Sequence, residues 1–303
     1  MTGDPPQPRV AIAVPTYNRA DGLKVAIDSV LAQDFQAWEL IICDNASTDK
    51  TATVAKTYAD REPRIRVHRQ PGNLGPTANF VEGLKLTEAP LFMWLADDDW
   101  IEPNYLSACV KRHDDQPDHA LVAGRVRYQH KEREPFDGAS IDLQQDDSAE
   151  RMLGYYRGVT DNGIFYGVMK TEFARRSAFP NTLGGDWIFL AGLIYQGKVS
   201  TLRETVIHRD YNWNAQSIKR ISESAGFSPF VEKHPYLSIA LEGAAAVRSR
   251  DLFADLDKKQ RRRLSHRVFL ALVRKKKLGF FKIIRGLLAA RKDWRPAIGA
   301  KAI

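Results

Sequence analysis

The sequence predicts an α/β protein whose mostly parallel sheet is flanked by helices. Three observations support this prediction: short continuous apolar segments, amphipathic helical patterns between them, and polar residues directly after the apolar segments. Continuous apolar strands separated by helices are typical of a sheet that is covered on both faces. In such sheets ligands bind outside the carboxyl ends of the strands.

The predicted elements alternate regularly over the first half of the chain. Apolar runs predict strands at 9–14, 39–43 and 91–96, and we also expect a strand at 65–68. Apolar residues at i, i+3, i+4 spacing and helix-end signals predict helices at 21–32, 51–59, 76–86 and 104–113. Further on we expect a charged loop at 128–147, a helix at 148–156, a strand at 164–169, a helix from Trp187 that ends at Gly197, and only helices from 233 onward.

Charge is distributed unevenly along the 303 residues. Residues 258–303 contain 16 Lys or Arg and the single acid Asp293, whereas residues 1–257 carry a net charge of −7. We therefore predict one domain over residues 1–232 and a helical, basic extension over residues 233–303. A specific nucleic-acid binder would carry its positive charge on the folded domain, so this distribution argues against one.

The sequence indicates a cytoplasmic protein. Cys43 and Cys109 are too few for a disulfide framework. The first ten residues have neither the basic nor the long apolar segment of a signal peptide. Because no apolar stretch approaches the roughly 18 residues that a membrane-spanning helix needs, we expect none.

Three adjacent acids, Asp97, Asp98 and Asp99, directly follow an apolar strand. Adjacent carboxylates repel one another unless a positive charge compensates them, and a divalent cation does so. Oxygen ligands favour Mg²⁺ or Mn²⁺ over zinc, and such an ion keeps open positions for phosphate oxygens. The alternative is a solvated turn in which one of the acids caps the next helix.

Polar segments also follow the other predicted strands. PTYNR lies at 15–19, DNASTD at 44–49 and GNLGPTANF at 72–80. Asp44 is a candidate acceptor for a base or ribose, and Tyr17 a candidate stacking partner. Each segment taken alone is equally compatible with ordinary turn and capping chemistry.

The ordered set of VPTYNR, DNASTD, PGNLG and LADDDW resembles the family 2 glycosyltransferases with the GT-A fold, over about residues 8–215. The resemblance implies a nucleotide-sugar half at about 8–100 and an acceptor half at about 101–232. It also implies that the nucleotide sugar, of UDP type, is bound by Pro15, Thr16, Tyr17, Asp44, Asn73, Asp97 and Asp98.

The resemblance also implies a DxD-type site for Mn²⁺ or Mg²⁺. Many members read L-D-x-D-D where this chain has Leu95-Ala96-Asp97-Asp98-Asp99. We expect Asp99 to be the direct ligand, with Asp97 beside it. The segment HRDYNWNAQS at 208–217 resembles the family's tyrosine-arginine-histidine region, which makes His208 a candidate third metal ligand; the alternative is an ordinary polar or packed histidine.

GGDWIFLAGLIYQGK resembles the Gly-rich turn and helix that carry the family's catalytic acid, so Asp186 is the candidate base. Gly184 and Gly185 would allow a close approach of backbone and acceptor. The alternative is that Asp186 merely caps the helix. As a base, Asp186 would accept the proton of an acceptor hydroxyl while the sugar is transferred with inversion.

The implied activity is an inverting, metal-dependent glycosyltransferase, with a saccharide or lipid-linked acceptor in envelope polysaccharide or glycolipid synthesis. The alternative is a non-catalytic module that binds sugar nucleotides or polysaccharide. A sugar-phosphate nucleotidyltransferase is disfavoured because PTYNR stands where a G-x-G-T-R-type loop would be.

The basic extension contains two amphipathic patterns that are separated near Gly279. The apolar positions are Leu264, Val268, Leu272, Phe280, Ile284, Leu287 and Leu288. Basic amphipathic helices bind anionic membrane surfaces, so we expect peripheral attachment to the inner face of the cell membrane. The alternative is that the apolar faces pack on the catalytic domain.

Overall fold

The computed structural model describes residues 7–130, 133–211, 218–249, 251–275, 277–294 and 296–297. The chain divides into two compact units. The first unit contains residues up to 142, 163–175 and 198–211; the second contains 143–162, 176–197 and residues from 212 onward. This division does not follow the predicted boundary at residue 232, because two earlier segments pack with the C-terminal helices.

The first unit is built on a nine-stranded sheet within the described residues. Its order is β3-β2-β1-β4-β8-β6-β9-β5, with β7 paired to β6. The strands are β1 Val10–Thr16, β2 Trp38–Asp44, β3 Ile65–Arg69, β4 Leu91–Trp94, β5 Trp100–Ile101, β6 His119–His130, β7 Arg133–Asp137, β8 Val168–Lys170 and β9 Lys198–Asp210.

The sheet is parallel in one half and mixed in the other. β1 pairs in parallel with β2 and β4, and β2 with β3. Beyond β4, the pairs that β8 forms with β4 and β6 are antiparallel, and so are β6–β7 and β5–β9, whereas β6–β9 is parallel. The α/β class is confirmed, but the sheet is mixed rather than mostly parallel as predicted, because the strand pairs beyond β4 are largely antiparallel. The four polar segments follow the strands of the parallel half.

Twelve α-helices occur in the described part of the chain. They are α1 Ala20–Leu31, α2 Thr51–Ala59, α3 Pro76–Lys85, α4 Tyr105–Asp115, α5 Ser148–Gly158, α6 Thr171–Arg176, α7 Gly185–Gln196, α8 Ile218–Ala225, α9 Pro229–Lys233, α10 Pro235–Ser249, α11 Lys258–Lys275 and α12 Phe280–Asp293. None of the helices in these ranges combines the length and the apolar character that a bilayer crossing requires.

The predicted strands and helices of the first hundred residues are confirmed to within a few residues at each end. All seven residues of β1 are buried, as are all but one of β2, which explains their continuous apolar sequence. Two predictions further on were wrong in part. Residues 128–130 and 133–137, expected in a loop, lie in strands, and the strand expected at 164–169 is a 3-10 helix over Gly163–Tyr166 followed by β8. The long strand β9 was not predicted.

The second unit is helical, and it contains the C-terminal extension. Helix α11 buries Leu264, Val268 and Leu272, so its apolar side packs within the unit, as the alternative interpretation of the tail expected. Helix α12 begins directly after Gly279, as the break in the pattern predicted. Its Ile284, Leu287 and Leu288 remain exposed.

Candidate active site

The loops after β1 and β2 are joined by hydrogen bonds. Asn18 N donates to Ser47 Oγ at 3.0 Å, and Thr48 N donates to Asn18 Oδ1 at 2.7 Å. Arg19 N donates to Thr51 Oγ1 at 2.9 Å. PTYNR and DNASTD therefore form one surface, because the parallel strands that carry them end side by side.

The loop after β3 joins the same surface through Asn45. The Asn45 side chain donates from Nδ2 to Asn73 Oδ1 at 2.9 Å and accepts from Leu74 N at Oδ1, also at 2.9 Å. Both partners belong to the segment GNLGPTANF. The structure thus brings together the three segments in which the resemblance located nucleotide-binding residues.

Two residues of these loops have an unusual backbone. Asn18 has φ 54° and Ala46 has φ 61°. Both angles lie in the left-handed region, which residues other than glycine rarely adopt. Such conformations cost about 1–3 kcal/mol each and cluster at functional sites. The hydrogen bonds of Asn18 to Ser47 and Thr48 hold its conformation in place.

The predicted nucleotide-binding residues differ in exposure. Pro15 and Thr16 end β1 and are buried, whereas the Tyr17 side chain is exposed beside them. Asp44 is buried at the end of β2, where it accepts from Ser47 N at 2.8 Å and forms an ion pair with Arg69. Their contact with a nucleotide stays a prediction.

The three acids after β4 are compensated by two arginines. Arg19 forms an ion pair with Asp98, and its Nε lies 3.6 Å from Asp97 Oδ1. Asp99 is enclosed, with 1% of its side chain exposed, and accepts from Arg209 Nε at 2.7 Å. Burial raises the pKa of Asp97 and raises that of Asp99 to about 6, although the neighbouring guanidinium opposes the shift in each case.

Arg209 is a functional candidate that the sequence did not single out for this role. Its guanidinium lies over the ring of Tyr166 at 4.3 Å and near that of Tyr128 at 5.7 Å. Besides Arg209, the backbone N–H of Asp210 donates to Asp99 Oδ1 at 3.2 Å. Asp99, expected to be the direct metal ligand, is therefore held by protein donors at both oxygens, whereas the Asp98 carboxylate is one-third exposed.

His208 is packed and hydrogen-bonded. Its ring stacks on Trp100 with centroids 3.6 Å apart and an interplanar angle of 3°. Gln129 Nε2 donates to its Nδ1 at 3.1 Å, and its Nε2 lies 3.4 Å from Glu102 Oε1. Burial lowers the pKa of His208, which favours the neutral ring.

Within the ranges that the structure describes, no three His, Cys, Asp or Glu side chains gather as a metal cluster would. The metal-ligand roles of Asp97, Asp99 and His208 therefore stay predictions.

A cavity of about 570 Å³ opens beside these groups in the first unit. Its lining includes Arg19, Asp98, Trp100, His208 and Arg209. It combines carboxylates, guanidinium groups and a flat aromatic surface, which are the groups that orient a phosphorylated sugar or nucleotide.

Gly22, which also lines this cavity, allows helix α1 to approach the acidic loop. A Cβ on Gly22 would lie 2.3 Å from the backbone oxygen of Asp97, closer than any side chain tolerates. The glycine therefore determines the distance between the start of α1 and the carboxylates.

Asp186 lies in the second unit, in the first turn of α7. Its Oδ1 accepts from Trp187 N at 2.9 Å, and its Oδ2 accepts from Asn162 Nδ2. Asn162 Oδ1 in turn accepts from Tyr155 Oη at 3.2 Å. The helix N-cap is Gly184, so Asp186 is not the cap that the alternative interpretation expected. Asn162 and Tyr155 were not predicted, since neither lies in the segments that carry the resemblance.

The two glycines before Asp186 serve internal packing. Gly184 has φ 73°, and a Cβ on it would meet Ile239 at 2.9 Å. A Cβ on Gly185 would lie 2.2 Å from Pro180 O. Any side chain at either position would therefore collide with neighbouring atoms of the protein. The expected role of the two glycines in the approach of an acceptor stays a prediction. The rest of the segment HRDYNWNAQS, residues 212–217, lies outside the described residues.

The fold and the joined strand-end loops define an α/β protein with a ligand crevice of the nucleotide-binding type. Residues 11–182, more than half of the chain, match the family described as Glycosyl transferase family 2. The chain belongs to this family, and the predicted resemblance is confirmed.

Two curated relatives illustrate the sequence similarity. A glycosyltransferase of Rickettsia typhi is 37% identical over 97 residues, which cover 32% of this chain and 29% of the relative. The GalNAc(5)-diNAcBac-PP-undecaprenol beta-1,3-glucosyltransferase of Campylobacter jejuni is 25% identical over 192 residues, 63% of this chain and 61% of the relative. The chain thus spans less than two thirds of the length of these relatives.

Two solved structures illustrate the similarity in fold. S. aureus TarS 1-349 in complex with UDP-GlcNAc aligns with a TM-score of 0.65 at 17% identity, covering 92% of this chain and 79% of that chain. The mannosyltransferase PcManGT from Pyrobaculum calidifontis, in complex with GDP-Man and Mn²⁺, aligns with a TM-score of 0.56 at 16% identity, covering 96% and 78%. These similarities confirm the GT-A fold.

Proposed function

We propose that this chain is an inverting glycosyltransferase that moves a sugar from a nucleoside diphosphate, of UDP type, to an acceptor hydroxyl. The observation that carries the proposal is the joining of the three loops after β1, β2 and β3 by side-chain hydrogen bonds, in a chain of the glycosyl transferase 2 family. The similarity in fold to TarS, a protein that binds UDP-GlcNAc, supports a uridine-type donor.

In this proposal the nucleotide lies across the ends of β1, β2 and β3. Asp44 accepts a hydrogen bond from the base or ribose, and the Asn73 side-chain amide forms a second hydrogen bond with the nucleotide. Pro15 and Thr16 shape the floor, and the exposed ring of Tyr17 stacks against the ligand. The cavity beside Asp98 takes the diphosphate and sugar.

The chemistry of the acidic loop fits a divalent cation, Mn²⁺ or Mg²⁺. Asp97 and Asp98 share the Arg19 guanidinium, and this need for a compensating positive charge supports the proposal. These two carboxylates would hold the ion, and Asp98 would take the place of the expected ligand Asp99, whose oxygens accept from Arg209 and Asp210. Asp99 would support the loop through its ion pair with Arg209. The bound ion would offset the negative charge of the departing diphosphate. That PcManGT binds GDP-Man and Mn²⁺ supports the choice of ion.

Asp186 is the base in this proposal. Asn162 and the backbone of Trp187 each donate to one of its oxygens, which fixes the orientation of the carboxylate. The carboxylate oriented in this way would accept the proton of the acceptor hydroxyl. A divalent ion held by the acidic loop would supply the charge compensation for the diphosphate, so the proposal assigns no second carboxylic acid, in contrast to glycoside hydrolysis.

The acceptor is a saccharide or a lipid-linked saccharide, in the synthesis of envelope polysaccharide or glycolipid. The name of the C. jejuni relative, which contains an undecaprenol-linked acceptor, supports this class. We propose that the reaction takes place in the cytoplasm, at the inner face of the cell membrane.

The test is a screen of UDP- and GDP-sugars with Mn²⁺ or Mg²⁺, read out by thermal shift and by release of the nucleoside diphosphate. We expect the Asp186→Asn variant to bind the donor like the wild type and to lose transfer by about 10²- to 10⁴-fold. The Asp115→Asn variant, which alters an exposed acid on α4, is the matched control. Normal transfer by Asp186→Asn would remove Asp186 as the base, and donor binding without turnover by the wild type would indicate a non-catalytic binding module.

A further inference from the structure

Helix α12 is fixed to the second unit along one side. Gly286 and Ala290 are buried, and Ala290 belongs to an apolar cluster with Phe230 and Leu237. Gly286 approaches Leu237 so closely that a Cβ would lie 2.2 Å from its Cδ2. One face of α12 is therefore in contact with its own unit, and the direction of the opposite face is set.

The opposite face is apolar and exposed. Phe281, Ile284 and Leu288 recur at i, i+3 and i+7, which places them on one face, and Leu287 lies beside them. Phe281 is 80% exposed and Leu288 is 56% exposed. Among the described residues, ten large apolar side chains are exposed, and four of them lie on this helix. The other six lie on six different elements or loops, so α12 carries the one concentrated exposed apolar face in the described part of the chain.

The charge around this face is positive. Lys282 and Arg285 are exposed on α12 itself, between the apolar residues in sequence. Asp293, at the last position of the helix, is the only acid in residues 258–303. Helix α11 differs, because its basic residues accompany an apolar stripe that is buried.

We propose that α12 lies on an anionic lipid surface, where Phe281, Ile284 and Leu288 enter the boundary between headgroups and acyl chains. Lys282 and Arg285 contact the anionic headgroups. An exposed apolar face with flanking basic residues is the pattern that lies in the plane of a membrane interface. The inference assigns one helix and one face to the attachment, and it does not depend on the transferase activity.

The test is co-sedimentation of the full chain with vesicles of phosphatidylglycerol and phosphatidylcholine, compared with vesicles of phosphatidylcholine alone. We expect the Phe281→Ser/Leu288→Ser variant to bind anionic vesicles at least about 10-fold more weakly than the wild type, because the apolar contribution is lost. We expect the Lys282→Gln/Arg285→Gln variant to lose about 25-fold at low salt, about fivefold for each basic residue, and less at high salt.

Matched controls remove the same residue types elsewhere. Val67→Ser changes an exposed apolar residue on β3, and Lys56→Gln/Lys111→Gln removes two exposed charges from α2 and α4. Both controls should bind vesicles like the wild type. If the two α12 variants also bind like the wild type, the proposal is overturned. It is equally overturned if vesicles do not recruit the wild type and Phe281→Ser/Leu288→Ser instead dissociates an oligomer in sedimentation velocity. Nucleotide-sugar binding by each variant, measured separately, reports on the proposed function.

Discussion

Replacement of Arg209 by methionine should destabilise the first unit strongly. The Asp99 side chain is only 1% exposed, and the substitution removes its charged partner. Methionine replaces most of the apolar part of the arginine side chain. Removing one partner of a buried ion pair typically costs about 3–5 kcal/mol, because the remaining charge is neither solvated nor paired. The guanidinium also lies 4.3 Å from the Tyr166 ring, a contact that adds at most about 2 kcal/mol. We expect a loss of about 4 kcal/mol.

The assay is equilibrium unfolding in urea, followed by tryptophan fluorescence, because Trp94 and Trp100 both lie in the first unit. The control is Arg125→Met, which breaks an exposed pair with Asp137 and should cost no more than about 1 kcal/mol.

A double variant separates the loss of pairing from a general defect of folding. Arg209→Met/Asp99→Leu removes both charges and should recover most of the stability, since an apolar pair of similar volume often replaces a buried ion pair at little cost. It should remain impaired in donor binding, because the acidic loop loses the contact that positions it. A single Arg209→Met variant within about 1 kcal/mol of the wild type would refute the argument that Asp99 depends on this arginine.

Three further predictions follow from other contacts. Burial lowers the pKa of His113 to about 4, so the folded state binds fewer protons than the unfolded state between pH 6.5 and 4. Stability from this group is complete above pH 6.5 and falls by about 2 kcal/mol at pH 5 in urea titrations, and His113→Gln should remove that part of the pH dependence. Arg19→Gln should tighten Mn²⁺ binding in calorimetry without donor, because the competing guanidinium is gone; unchanged affinity would contradict the shared pair. Asn162→Ala should lower kcat with little change in KM and shift the acidic limb of the pH profile, whereas equal effects on both constants would indicate a structural role only.

The sequence was sufficient to predict the parallel half of the sheet and the joining of its loops. β1, β2 and β4 contain continuous apolar runs, whereas β3 alternates apolar and basic residues. In a parallel sheet the polar residues that follow such strands lie at one edge. The pairing of Asn45 with the loop at Asn73 is a direct result of that arrangement.

The long strand β9 was not predictable in the same way, because its pattern changes within the strand. Its register against β6 shifts near Gly124 and Arg125, where residues 203–205 form an irregularity. Exposed Arg203 and Glu204 interrupt the alternation of buried and exposed positions. A bulge moves the later side chains to the other face, so neither a helical nor a strand period fits the whole segment.

The residues that pair with Asp97, Asp98 and Asp99 could not be predicted from the sequence either. Three adjacent acids at a strand end require positive charge, and the composition alone does not distinguish a bound metal ion from an arginine of the same chain. The structure supplies two arginines, from 79 and 110 residues away in the sequence. The Arg19 contact depends on the pairing of β1 with β4, and the Arg209 contact depends on the pairing of β9 with β5.

Arg19 and Arg209 differ in exposure, so the acids that they contact differ in how easily a metal ion could replace the arginine. Arg209 is enclosed between aromatic rings and Asp99, with 20% of its side chain exposed, so exchanging it for a hydrated ion would expose a buried carboxylate. Arg19 is 48% exposed and lies at the cavity, where water can solvate its guanidinium after it leaves Asp97 and Asp98. The free energy of displacement is therefore smaller for Arg19, and a divalent cation that enters this loop should replace Arg19 and leave the pair of Asp99 and Arg209 intact.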